Sequence, residues 1–239
     1  MEFVPAYDPQ MVLDHMEENL KRGIPEVKAC RPHAHKMSVA GGAPSLSDTK
    51  GQLDGYVCAI NGSLNYLYDN GIEAQACGIL DPHVDIDPVK GVHYYVCSIA
   101  RPEVFDALKG EHVVMWHSSG PPGAEEVLKK YRKDYLMIGG GTTMGLRWIN
   151  LGYVMGFRNF HLHGLDSSYR DGETHSYKDH ERVQRMTVNG WETSPNFLKQ
   201  VSDFSGVMQR FSEHDVDPIN IKLYGTGLMQ DSHAQYCVR

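Results

Sequence analysis

The sequence predicts an α/β domain built around a mainly parallel β-sheet, on three observations. Short apolar runs alternate along most of the chain with longer amphipathic or polar segments, the pattern of strand–helix–strand units. Several runs are apolar nearly throughout rather than at every second residue, as strands covered on both faces require. Helix-length segments stop at Gly71, Gly110 and Gly156, the residue type that most readily ends a helix.

In chain order, Asp8 and Pro9 precede Met11, Val12, Met16 and Leu20, an N-cap and first-turn proline followed by apolar residues at helical spacing. Pro25 and Pro32 then interrupt the chain, so residues 1–35 are expected to form a helical arm and 36–239 a single α/β domain. Strands are expected at 37–41, 56–61, 76–81, 93–99, 112–117, 159–166 and 219–224. Helices are expected at 63–70, 102–109, 124–133, 142–155 and 194–213, the third with acidic residues early and lysines late, as the helix dipole favours. The sheet should therefore have about six or seven strands, with helices on both faces. The polar stretch 167–193 reads as a long, mobile active-site loop.

Composition narrows the function. Lys and Arg number 23 against 30 Asp and Glu, a net charge of −7, which argues against nucleic acid and anionic membrane as partners. No apolar stretch approaches the ~18 residues of a membrane span, and residues 1–5 do not start a secretory signal. Five cysteines without C-x-x-C spacing, three of them (Cys58, Cys77, Cys97) in apolar runs, point to buried thiols and a reducing, cytoplasmic compartment. Thirteen histidines include two His-x-His pairs, His33/His35 and His161/His163. The first pair precedes a strand, at the wrong end for a zinc site; most histidines read as structural, leaving His117, His163 and His175 as acid/base candidates.

In open parallel sheets ligands bind outside the carboxyl ends of the strands, near the point where strand order reverses. The residues following each expected strand are therefore the candidates. Gly41-Gly42-Ala43-Pro44-Ser45 follows the first and opens a short helix; small residues there let backbone approach a phosphate. Asn61 follows the second and Asp81 the third, where a carboxylate could hold Mg²⁺ bridging phosphates. Gly139-Gly140-Gly141-Thr142 opens a helix, with Thr142 as a hydroxyl donor, and Asp166 ends the sixth strand. The Gly41–Ser45 turn has neither the Walker nor the dinucleotide spacing.

The order of these motifs carries a resemblance. Ser38–Leu46, Ala59–Gly62, Gly71–Ile72 leading to Ile79–Pro82, Gly140–Thr143, Leu151–Gly152 leading to Gly156–Tyr169, and His175 together resemble the MptE-like 6-hydroxymethylpterin diphosphokinase family over about residues 36–180. The tail Leu223–Leu228 is similar as well. The resemblance implies a Rossmann-like fold and a transferase that uses a nucleotide, of ATP or CMP type, with Mg²⁺ and a small hydroxyl-bearing acceptor. It also implies kinship with motility-associated flagellin glycosyltransferases and, distantly, bacterial sialyltransferases. One position departs from the family's Gly-x-Gly-Pro-Ser turn: Ala43 stands before the proline, and its methyl bears on close phosphate approach.

On this reading Gly41, Gly42, Ala43, Pro44, Ser45, Gly140, Gly141 and Thr142 surround the phosphates and Asn61 orients the ribose or acceptor. Asp81 or Asp166 holds the metal, and His163 or His175 takes the acceptor's proton, with Asp166 beside them in catalysis. Two alternatives stand beside the diphosphokinase: a glycosyltransferase with a nucleotide-sugar donor, and a non-catalytic nucleotide-binding module. The sequence leaves the acceptor, the base and any homo-oligomer open.

Overall fold

The computed structural model describes residues 7–83, 85–176, 184–213 and 217–238. Among them, eight strands form one sheet in the order β10-β7-β1-β2-β3-β4-β5-β6. The strands are β1 (Lys36–Ala40), β2 (Tyr56–Ile60), β3 (Ala76–Ile79), β4 (His93–Cys97), β5 (His112–Ser118), β6 (Met137–Ile138), β7 (Asn159–His163) and β10 (Asn220–Leu223). Every neighbouring pair in this sheet is parallel. The chain adds strands outward from β1 to β6 and then returns to lay β7 on the other side of β1, so strand order reverses between β1 and β7.

Alternating strand residues feed two cores. On one face Val57, Ala59, Tyr94 and Val96 pack with α1 (Pro9–Leu20), α2 (Leu46–Thr49), α3 (Ser63–Asp69), α4 (Pro102–Ala107) and α5 (Ala124–Tyr131). On the other, Met37, Val39, Phe160 and Leu162 pack with α6 (Met144–Val154), α7 (Pro195–Glu213) and α8 (Leu228–Ser232). This is the doubly wound arrangement, and it explains why the strand sequences are apolar on both faces. α6 lies directly on the sheet because three glycines permit it. A Cβ on Gly78 would fall 2.7 Å from Trp148 Nε1, one on Gly145 2.7 Å from Leu165, and one on Gly152 2.7 Å from Phe160.

The N-terminal segment is part of this packing. α1 buries Val12, Met16 and Leu20, and the buried Asn19 amide donates to the carbonyls of Ser98 (3.0 Å) and Ala100 (2.7 Å). Glu26 bridges Met115 of β5 as an extra strand residue and takes Arg132 Nε at 2.5 Å. The five cysteines form no disulfide, and Cys58, Cys77 and Cys97 are buried. No helix among the described residues is long and apolar enough to cross a membrane.

The structure differs from the sequence-based expectation at strand ends. β3, β4 and β7 stop two or three residues earlier than their apolar runs. In β7 the cause is backbone: Gly164 turns to φ +63° and Ser167 to φ 53°, conformations a ladder cannot contain. The stretch expected as one loop contains a small antiparallel hairpin, β8 (Met186–Val188) with β9 (Trp191–Thr193); residues 177–183 lie outside the described residues.

Candidate functional site

The loops leaving β1 and β7 part toward opposite faces of the sheet, into α2 and toward α7, which is the geometry that opens a ligand crevice. Here their bases are sewn together. Gly41 N–H donates to His163 O (2.8 Å), Ala43 N–H to Gly164 O (3.0 Å) and Ser45 N–H to Asp166 Oδ2 (2.8 Å). The Ser45 hydroxyl donates to Asp166 Oδ1. Gly41 must be glycine: a Cβ would collide with Gly164 O. The loop after β10 joins from the side. A Cβ on Gly225 would land on Ser45 and one on Gly227 would lie 2.6 Å from Asp166 Cβ, while Met229 N–H donates to Asp166 O (2.9 Å).

Asp166 is 2% exposed. Burial pushes its carboxyl up to about 6, against the opposing pull of the two Ser45 donors. With both oxygens on Ser45, Asp166 holds the loops in register.

The segment after β7 folds back over this latch. Arg170 reaches Asp48 of α2 (2.7 Å) and Thr226 Oγ1 (3.1 Å). Ser176 N–H donates to Gly42 O (2.9 Å) and its hydroxyl to Ala43 O (2.9 Å). His175, beside it, is half-buried with Nδ1 2.8 Å from Thr174 Oγ1. The structure thus brings Gly41, Gly42, Ala43, Pro44, Ser45, Asp166 and His175 into one neighbourhood.

Some donors and acceptors at these strand ends are left over from this stitching. Gly42 N–H finds no acceptor among the described residues. Asn61, held at φ 47° directly after β2, has a buried side-chain oxygen without a partner. The first turn of α6 faces the same strand ends, with Gly145 between Leu165 and Ile60. Thr143 caps this helix without a side-chain bond, so its first amides have no acceptor within the helix.

The other sequence candidates fall elsewhere. Gly140 (φ +109°) and Gly141 (φ +99°) make the bend into α6, and Thr142 donates through both N–H and Oγ1 to Asp203 Oδ2 of α7 at 3.0 Å. Asp81 is exposed beyond β3 and accepts the His83 N–H at 2.8 Å. No group of three or more His, Cys, Asp or Glu among the described residues could hold a metal ion. Mg²⁺ characteristically takes one or two carboxylates and completes its shell with water and substrate phosphates; of the two residues expected to hold it, Asp81 is exposed and both Asp166 oxygens are bound to Ser45.

His163 lies on the sheet face rather than in the loops. It is fully buried, stacks on Tyr224 at 4.1 Å, and neither ring nitrogen has a hydrogen-bond partner. Burial and then the neighbouring His161 press its pKa down to about 4, so it is a neutral ring. Tyr224 OH lies 2.7 Å from His161 Nδ1. His33 and His35 sit at the opposite end of the strands, with Lys36, Tyr56 and Phe157.

Sequence reasoning missed Arg170, Ser176, Tyr224 and the individual roles of Gly225 and Gly227. The glycine pair directly after an apolar strand was the available signal, the same one that marks Gly41-Gly42.

The fold has a counterpart among solved structures. The MAf glycosyltransferase from Magnetospirillum magneticum AMB-1 superposes with a TM-score of 0.68 at 14% identity, over 95% of this chain but 38% of that one. A mammalian sialyltransferase in complex with Gal-beta-1-3GalNAc-ortho-nitrophenol aligns at a TM-score of 0.44 and 10% identity, over 87% of this chain and 84% of that one. Comparison with curated protein sequences returns no match. The family profile described as 6-hydroxymethylpterin diphosphokinase MptE-like matches residues 10–172, the stretch that builds β1 to β7 and the latch between them, and the chain belongs to that family.

Proposed function

We propose that this chain is a nucleotide-dependent transferase that moves a diphosphate, or another nucleotide-derived group, to a hydroxyl of a small acceptor. The observation that carries the reading is the set of unpartnered groups at the switch point: the Gly42 N–H, the Asn61 side chain and the first-turn amides of α6. Backbone amides and a helix N-terminus suit phosphate oxygens, and Arg170, which folds over the latch, is already held by Asp48 and Thr226.

In this reading Asn61 orients the ribose or acceptor. Ser45 and Asp166 are positioning residues that hold the Gly41-Gly42 backbone. His175, on the rim beside Gly42, takes the acceptor's proton. Mg²⁺ would enter with the phosphates and meet Asp81, supplying charge neutralisation. The protein's contribution is alignment of the two substrates and stabilisation of charge on the transferred group. His163 and Tyr224 brace β7 against β10.

The fold similarity to the MAf enzyme favours one second reading, a glycosyltransferase with a nucleotide-sugar donor. Calorimetry with ATP, CTP and CMP, with and without Mg²⁺, tests both. ATP binding that strengthens with Mg²⁺ supports the diphosphokinase; CMP binding indifferent to metal supports the glycosyltransferase. Binding of none of them below millimolar concentration overturns both.

A further inference from the structure

The ends of β5 and β6 hold a second polar cluster that the crevice does not use. Arg147, one turn into α6, is 7% exposed. Helical side chains lean toward the helix N-terminus, which brings its guanidinium to the carboxyl ends of the strands. Nη1 donates to Ile138 O, while Nε has no partner. No carboxylate among the described residues pairs with it. Asp203, whose field reaches it, is already bound to Lys199 and Thr142, and the Cys97 thiol beside it is pushed up to about 11 by burial and is neutral. A buried, uncompensated guanidinium is costly unless an anion joins it.

A Cβ built on Gly120 would stand 3.3 Å from Arg147 Nη2 and 3.5 Å from Ser118 Oγ, and one on Gly139 3.4 Å from Ser119 Oγ. Gly120 therefore puts no side chain beside the guanidinium; Ser118 Oγ there accepts the Gly120 N–H (3.2 Å), and Ser119 Oγ donates at 3.5 Å to Ile138 O, the carbonyl that Arg147 also reaches. Arginine's planar fork matches an oxyanion, phosphate or carboxylate.

We propose that Arg147, Ser118 and Ser119, with the backbone at Gly120 and Gly139, form a seat for one oxyanion of a ligand, a phosphate or a carboxylate. β5 stands four strand spacings from β1, about 19 Å, so this seat is separate from the Gly41–Asp166 latch and does not depend on the nucleotide reading.

The test uses the full chain and two probes, inorganic phosphate and acetate, followed by NMR at the arginine Nε–Hε resonances, with Arg147 assigned through Arg147→Lys. Saturable movement of the Arg147 signal by either anion is expected, and the better probe identifies the ligand's class. Read at the Ser119 and Gly120 backbone amides, which every variant retains, Arg147→Lys, which keeps the charge and loses the fork, should bind severalfold more weakly, and Arg147→Met at least tenfold. Asn61→Ala should leave the response intact. An Arg147 signal unmoved by both anions, or unchanged affinity in Arg147→Lys and Arg147→Met, overturns the proposal. Anion binding at Arg147 without nucleotide binding would uphold this seat while defeating the nucleotide reading.

Discussion

The carboxylate of Asp166 accepts both the backbone N–H and the hydroxyl of Ser45, a residue 121 positions earlier in the chain. This pair closes the base of the switch-point crevice and sets the path of the Gly41-Gly42 backbone. Asp166→Ala leaves two buried donors without an acceptor, at about 1–3 kcal/mol each. Urea unfolding at about pH 4, where the Asp166 contribution is still present, should therefore show a loss of about 2–4 kcal/mol, with a smaller loss in Ser45→Ala. A double-mutant cycle with additive losses would show that the pair is not coupled.

Asp166 and His163 should leave opposite marks on the pH dependence of stability. The Asp166 carboxyl is raised from 3.8 to about 6, so its contribution is fully present below pH 3.8 and is lost as pH rises through about 6. His163 is lowered from 6.5 to about 4, so its contribution is present above pH 6.5 and is lost as pH falls through about 4. Each shift corresponds to about 3 kcal/mol, and in the wild type the two offset one another between these limits. Asp166→Asn should make the chain lose stability more steeply on acidification from pH 6.5 to 4. His163→Phe, which keeps a ring against Tyr224, should do the reverse. Parallel pH profiles in all three proteins would refute the assignment.

Gly41→Ala should be far more damaging than Gly51→Ala. The first drives a methyl into the Gly164 carbonyl, whereas the second meets nothing within 4 Å. Overpacking of this kind costs about 2–3 kcal/mol, readable as a shift in the urea midpoint, while Gly51→Ala should stay near wild type. Equal midpoints would mean the two loops are not in contact.

A thiol reagent should separate the cysteines by burial. Cys30 is exposed, and Cys58, Cys77 and Cys97 are buried with thiols pushed up by desolvation, Cys77 to about 12 and Cys97 to about 11. Rapid labelling at Cys30, with the three buried thiols labelled only on unfolding, is expected by peptide mass spectrometry. Labelling of Cys77 in the native protein would contradict the packing of β3.

Much of the sheet was legible because its strands are buried on both faces, which writes continuous apolar runs into β1 to β5 and β7. β6 was not, since Met137–Ile138 is too short to carry a period. Nor was the β8–β9 hairpin, whose strands of three residues each are likewise too short to carry a period. The glycine turns showed where the chain bends but not which donors remain free. In Gly41–Ser45 three amides go to the β7 loop, and Thr142, with the right chemistry, is bound to Asp203. Such pairings join residues far apart in sequence, and local pattern does not report them. The two His-x-His histidines of β7 do share a face, as period-two geometry requires, but what covers that face, Tyr224, lies just past β10, some 60 residues later.

The claim that phosphates bind where β1, β2 and β7 end is tested most directly by a crystal structure of the chain grown with ATP and Mg²⁺, and a second with CMP. The account predicts nucleotide phosphates within hydrogen-bond distance of the Gly42 N–H and the first turn of α6, with a ribose or acceptor hydroxyl on the Asn61 side-chain oxygen, in at least one of the two. Phosphates bound away from all three groups, with those groups still unpartnered, would contradict it.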